Sequence, residues 1–151
     1  MYSAMLTLHS WLRWLVLILG VVAIARAASA SRARQWTRGD DRATLWFTIA
    51  LDLQLLLGVL LYFALSPITK SALQNMGGAM KIATVRYWAV EHPFGMAAAL
   101  VLAHVGRARL RRLPDERRGR TALVFIVLAL VVIAATLPWP GRPYGRPLFR
   151  W

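Results

Sequence analysis

The sequence predicts an all-α integral membrane protein that folds as a four-helix bundle. The 151-residue chain is 58% hydrophobic, and its mean hydropathy is +0.50. Its charged residues collect in short blocks between long apolar runs. Four runs, at about 5–25, 43–65, 80–105 and 121–137, approach the roughly 20 residues that a helix needs to cross a bilayer. The connections between them suit an up-down-up-down bundle, followed by a separate tail at 138–151.

The basic residues predict the orientation of this bundle. The chain has 19 Lys and Arg residues against 6 Asp and Glu, a net charge of +13. Most of the arginines lie in two blocks, at 26–42 and 107–120, which follow the first and third spans. The positive-inside rule places both blocks in the cytoplasm and both termini outside, as in a multi-pass protein of the bacterial inner membrane. We expect the arginines to contact anionic lipids of the bilayer, and we expect no nucleic-acid partner.

The absence of cysteine limits the chemistry of the chain. It excludes disulfides, covalently attached haem and iron–sulfur clusters. Any metal or cofactor must therefore be held by histidine, methionine or carboxylate side chains. We assign no catalytic residue and expect no independent catalytic activity.

Among the ionisable residues inside the predicted spans, four are candidates for one buried site: His9, Arg13, Glu91 and His92. A rise of about 1.5 Å per residue places all four at similar depths in the outer half of the membrane. Ionisable groups inside a membrane are costly, so they usually face the bundle interior and have a partner. We therefore expect Arg13 and Glu91 to form a buried ion pair beside the two histidines.

The two histidines predict a haem site between the first and third helices. His9 and His92 are the candidate axial ligands of one haem b, and so its candidate metal ligands. Arg86, together with Lys81, is positioned to meet the haem propionates. The alternative interpretation is that both histidines only form hydrogen bonds between helices.

Three further positions stand out in the spans. Asp52 is predicted to be either a proton-relay carboxylate or a partner of Arg13. His104 lies 12 residues after His92, about 120° around the helix, so we expect a surface histidine near lipid phosphates and no second haem. Pro93 frees the carbonyl four residues earlier and allows a kink next to His92.

The tail at 138–151 holds four of the seven prolines and cannot form a helix. Its aromatic and arginine residues suit the membrane interface. We expect it to lie along that interface or to dock onto another subunit.

Parts of the sequence resemble a known family. The stretches are LHSWLRW (8–14), QLLLGVLLYF (54–63), RYWAVEHP (86–93) and PWP (138–140). They resemble a family of small four-helix membrane proteins of Bacteroidetes type that are often labelled cytochrome b-like. The resemblance covers the chain up to about residue 140.

The resemblance implies that His9, Arg13, Glu91 and His92 belong to one site and that the site binds haem b. Members of this family often have histidine at the position of Asp52, so the resemblance implies no haem ligand from the second helix here.

Two functions follow from these observations. The first is a haem b-binding subunit for electron transfer or on the quinone side of a membrane complex. The second is a cofactor-free accessory subunit of a larger respiratory or photosynthetic complex, with the aromatic surface and the tail as its contacts. A proton-coupled transporter is less favoured, because four short spans leave little room for alternating access.

Overall fold

The computed structural model describes residues 1–149 of the chain, and these are almost entirely helical. The helices are α1 (Tyr2–Ala33), α2 (Arg38–Leu60), α3 (Pro67–Gln74), α4 (Met76–Ala79), α5 (Ala83–Arg86), α6 (His92–Leu110) and α7 (Asp115–Thr136). One π-helical turn, Leu61–Leu65, extends α2, and a second, Tyr87–Glu91, joins α5 to α6.

Four continuous helical segments are long and apolar enough to cross a membrane. They are Tyr2–Ala33, Arg38–Leu65, Ala83–Leu110 and Asp115–Thr136. The predicted all-α class with four candidate spans in a bundle is confirmed. The chain is therefore a multi-pass membrane protein whose apolar outer surface contacts lipid.

At the arginine-rich end, the helices extend past the apolar runs and include residues of the basic connections. Helix α1 ends at Ala33, where Arg34 takes a left-handed conformation with φ of 54°. Helix α2 begins with a capping box, in which the Thr37 hydroxyl accepts from the Asp40 amide and the Asp40 carboxylate accepts from the Thr37 amide. The buried Asp40 also pairs with Arg26 at 2.9 Å, which ties the turn to α1.

The connection at 66–79 forms two short helices, which the sequence interpretation did not predict. Ser66 caps α3 by accepting a hydrogen bond from the Thr69 amide, and Pro67 occupies the first turn. Asn75 caps α4 in the same way through the amide of Gly78. Pro67 therefore marks a helix start, and Gly77 and Gly78 lie within a short helix.

Neighbouring spans run antiparallel. Arg26 meets Asp40 near one end of α1, whereas Gln54 donates to the carbonyl of His9 near the other end. The second and third spans are antiparallel as well, because Thr44 contacts Arg107 and Tyr62 contacts Ala89. The third and fourth spans are antiparallel because Gly106 lies beside Phe125 and His92 beside Thr136. We call the end that carries Met1 the terminal end, and the end with the arginine-rich connections the basic end.

Small residues let the helices approach closely. A side chain at Gly119 would lie 2.4 Å from the backbone of Ser31, so α1 and α7 are in direct backbone contact there. Such contacts are typical of helix packing in membranes. Buried alanines line the same interfaces: Ala23, Ala27, Ala30, Ala99, Ala103, Ala122 and Ala129.

The tail packs against the bundle, a contact that the sequence did not predict. Residues 138–149 turn back over the terminal end of the bundle, with the amide of Arg146 bonded to the carbonyl of Pro138. Tyr144 stacks on Tyr87 with ring centres 3.7 Å apart, and Phe149 stacks on Trp14. These contacts place residues 138–149 against the bundle itself, and their position at the membrane interface or beside another subunit stays a prediction. Its last two residues lie outside the described range.

Candidate functional site

A proline shapes the helix next to the site. Pro93 has no amide hydrogen, so it leaves the carbonyl of Ala89 without its helical partner. The Tyr62 hydroxyl donates to that carbonyl at 2.9 Å and so links the end of the second span to the third. A π-helical turn ends at Glu91, directly before His92. Such π-helical turns occur frequently at functional sites, and the kink expected at Pro93 stays a prediction.

His92 is held in one orientation by α7. Its Nδ1 lies 2.9 Å from the carbonyl oxygen of Thr136. A carbonyl only accepts, so Nδ1 carries the proton and Nε2 carries the lone pair. A Cβ on Gly95 would fall 2.3 Å from the Thr136 side chain, so only glycine lets α7 come this close. The same hydrogen-bond pattern orients histidines that bind metals.

His9 faces the same region from α1. Gln54 donates to its backbone carbonyl at 3.0 Å, but within residues 1–149 the buried Nδ1 of His9 has no hydrogen-bond partner. The amide oxygen of Gln54 is likewise buried without a partner in this part of the chain. Buried polar groups are nearly always satisfied in native structures. These two atoms therefore point to a ligand that completes the site.

The two imidazole rings have a spacing that suits coordination of one metal. Their centres are 6.4 Å apart, and their planes differ by 71°. An imidazole nitrogen lies about 2.0 Å from a bound metal and about 1.2 Å from its own ring centre, so two axial imidazoles have centres about 6.3 Å apart. Rotation about that axis allows any angle between the ring planes. The distance between the ring centres is therefore compatible with His9 and His92 on one haem iron.

Histidine, aspartate and glutamate side chains offer no larger ligand set in residues 1–149. No group of three or more is placed there to hold a metal ion. A metal held by His9 and His92 alone needs further ligands, and a porphyrin supplies four nitrogens. The donor set therefore fits haem better than a bare metal ion.

A cavity of about 450 Å³ adjoins the two histidines, within the usual size range for small-molecule and cofactor sites. It lies between α2 and α6, which pack less closely than the other neighbouring spans. Its walls are mostly apolar, and the small residues Gly58 and Ala97 take up little space in them. The other lining residues include Leu51, Leu55, Val59, Tyr62, Trp88, Phe94 and Met96.

A smaller cavity of about 50 Å³ also adjoins the histidines. Its wall includes His9, His92 and Gln54, and two arginines, Arg13 from α1 and Arg146 from the tail. Arg146 also lines the larger cavity. Positive charge is therefore concentrated next to the histidines at the terminal end.

The expected pair between Arg13 and Glu91 is absent from the described residues. Glu91 pairs with Arg86 at 2.8 Å on the exposed side of the helix, and neither of them lines the cavity. Arg13 instead donates to the carbonyl of Leu148 in the tail. The π-helical turn explains the error, because its wider turn brings residues i and i+5, here Arg86 and Glu91, onto one face.

Asp52 and His104 form a pair that the sequence did not predict. His104 Nε2 lies 2.8 Å from the Asp52 carboxylate, so Asp52 does not pair with Arg13, and His104 is an exposed histidine with a carboxylate partner. The two side chains remain 39% and 53% exposed. This pair lies on the outside of the seam between α2 and α6 and is separate from the histidine site.

The sequence interpretation missed Thr136 and Arg146. Thr136 acts through its backbone carbonyl, for which no side-chain pattern gives a signal. Arg146 lies in a stretch where arginine alternates with proline and aromatic residues, which indicated only an interfacial tail. Comparison of the chain with protein-family models, with curated proteins and with solved structures finds no match.

Proposed function

We propose that this protein is a haem b protein of the membrane that takes part in electron transfer, with His9 and His92 as the axial ligands. The observation that supports this proposal best is the spacing of 6.4 Å between two imidazoles beside an apolar cavity. Haem supplies one-electron chemistry at its iron. The protein supplies the ligands, the apolar surroundings and the orientation.

Each group of the site has a role in this proposal. Thr136 holds the proton of His92 on Nδ1 and so presents Nε2 as the ligand. Gln54 fixes α1 at His9 through the backbone carbonyl. The apolar lining excludes water from the site, which is one of the ways a protein tunes a haem potential.

The alternative, in which both histidines only form hydrogen bonds between helices, accounts for His92 but not for His9. Within residues 1–149 the ring of His9 makes no hydrogen bond, and its Nδ1 is buried. A buried nitrogen without a hydrogen-bond partner costs free energy. A bound ligand that contacts this nitrogen removes the cost, whereas a purely structural histidine keeps it.

The protein is expected to show a haem spectrum. When it is purified in detergent from cells supplied with haem, it should have a Soret band and, after reduction, a sharp α-band. A difference spectrum, reduced minus oxidised, measures this directly. A colourless protein that is correctly folded would contradict the proposal.

A second candidate function is that of an accessory subunit in a larger membrane complex. It is favoured by the exposed pair of Asp52 and His104, because ionisable side chains in a span usually face protein or water and not lipid. The same spectrum separates the two functions, since an accessory subunit without cofactor is colourless.

We further propose that the bundle has an up-down-up-down topology with both termini outside the bacterial inner membrane. The arginine-rich connections at the basic end support this orientation. A single cysteine at Ser3 should react with an impermeant thiol reagent in intact cells. A cysteine at Arg111 should react only after the membrane is broken, and the opposite pattern would refute the orientation.

A further inference from the structure

Two guanidinium groups lie beside the histidines without a carboxylate partner among residues 1–149. Arg13 and Arg146 both line the small cavity next to His9 and His92. The ion pairs within these residues involve other side chains: Arg26–Asp40, Arg86–Glu91, His104–Asp52, Arg107–Asp41 and Arg118–Asp115. Two positive charges in this part of the bundle are therefore not neutralised by the described chain.

Both groups have unused hydrogen-bond donors. Arg13 donates to the carbonyl of Leu148 and lies 5.5 Å from the centre of the Trp14 ring. Arg146 lies 5.0 Å over the ring of Trp88, and its side chain makes no hydrogen bond within residues 1–149. A guanidinium has five N–H donors, so most donors of both arginines are available to a ligand.

We propose that Arg13 and Arg146 form a binding site for two carboxylate groups of the ligand that His9 and His92 hold. The ligand class is a flat, apolar molecule with two acid groups at one edge, such as a porphyrin dicarboxylate. This inference rests on the proposed function and extends it, because it assigns the part of the site that holds the acid groups. Guanidinium and carboxylate match in charge and in bidentate geometry.

The position of the arginines supports this assignment. The ring of Trp88 contacts both Arg146 and His92: its centre lies 5.0 Å from the Arg146 guanidinium carbon and 5.4 Å from the centre of the His92 ring. The cations and the histidines therefore line the same cavity. Arg86, the residue expected to meet the acid groups, is already neutralised by Glu91 outside the cavity.

The site also gives the tail a role in binding. Arg146 belongs to the segment that folds back over the terminal end, and it lines both cavities. The tail therefore completes the site only when it is folded onto the bundle. Ligand acid groups that pair with Arg146 should in turn stabilise the folded position of the tail.

The test uses metal-free protoporphyrin and its dimethyl ester, because neither needs histidine coordination. Binding of each is titrated by tryptophan quenching with the full-length protein in detergent. Wild-type protein should bind the diacid at least tenfold more tightly than the ester. Arg146→Gln and Arg13→Gln should each reduce this preference severalfold and leave the affinity for the ester unchanged.

Two further variants complete the experiment. Arg142→Gln removes the same charge from an exposed position of the same tail and should retain the wild-type preference. Arg146→Lys keeps the charge and should restore part of the preference. If Arg13→Gln does not fold, the comparison of Arg146→Gln with Arg142→Gln decides the question alone.

Equal affinity of the wild-type protein for diacid and ester overturns the proposal. Equal affinity is also the result expected if a lipid phosphate occupies Arg13 and Arg146. An unchanged preference in Arg146→Gln overturns the proposal as well. The preference for the diacid can depend on Arg146 even if the haem spectrum shows no histidine coordination. That result supports the acid site and contradicts only the assignment of His9 and His92 as ligands. Failure of the wild-type protein to bind either porphyrin also overturns the proposal, whereas the haem spectrum tests the histidine ligation separately.

Discussion

Replacing His92 with alanine is expected to abolish the haem spectrum, whereas replacing His104 is expected to leave it unchanged. His92 offers its Nε2 to the cavity because Thr136 holds the proton on Nδ1. Loss of a group that only orients a ligand typically costs 10–100-fold in metal affinity, so loss of a ligand itself should cost more than about 100-fold. The absorption spectrum of each purified variant after reduction measures the effect.

His104→Ala is the matched control, because the same substitution is made on the same helix. His104 is exposed and pairs with Asp52, away from the cavity at the terminal end. Free imidazole added to His92→Ala should restore part of the spectrum by occupying the space of the lost ring. A His92→Ala protein with an unchanged spectrum, or a His104→Ala protein without one, would contradict the assignment of the ligands.

Counting residues along regular helices predicted the meeting of the two histidines. His9 and His92 were placed at similar depths from the rise per residue, and their ring centres are indeed 6.4 Å apart. The same counting did not predict the partner of Glu91, although Glu91 directly precedes His92. The reason is local: the π-helical turn at Tyr87–Glu91 changes which residues share a face, and no hydropathy pattern reports such a turn.

The partner of His104 was missed for a different reason. The angular position of His104 on α6 was argued relative to His92 only. The position of α2 beside it, which brings Asp52 to 2.8 Å, depends on how the two helices cross. Contacts of this kind are set by packing between helices and not by the periodicity of either one.

The path of the tail depends on the length of α7, and this part of the fold was not predicted. Helix α7 ends at Thr136, level with His92 and Tyr87, so it does not cover the rest of α1 at the terminal end. The tail fills that space with aromatic side chains. Composition alone indicates that these residues avoid water, but it does not distinguish a lipid interface from a gap in the same bundle.

Deleting residues 141–151 is therefore expected to destabilise the bundle and to prevent haem binding. The deletion removes the stack of Tyr144 on Tyr87, the stack of Phe149 on Trp14, and the carbonyl that accepts from Arg13. Aromatic pairs contribute about 0.5–1.5 kcal/mol each and a hydrogen bond to a charged group about 1.5–3 kcal/mol. Together these contacts contribute about 2.5–6 kcal/mol, enough to lower the unfolding temperature by on the order of 10 °C.

Thermal unfolding in detergent, followed by size-exclusion chromatography, measures this loss of stability. The double variant Tyr144→Ala/Phe149→Ala removes both stacks but keeps the Leu148 carbonyl that accepts from Arg13, so it should lose part of this stability. Arg142→Gln, at an exposed position of the same tail, should unfold like the wild type. If the deletion unfolds at the wild-type temperature and still binds haem, the tail does not pack on the bundle. The contacts of Arg13, Tyr87 and Trp14 with it then do not form in solution.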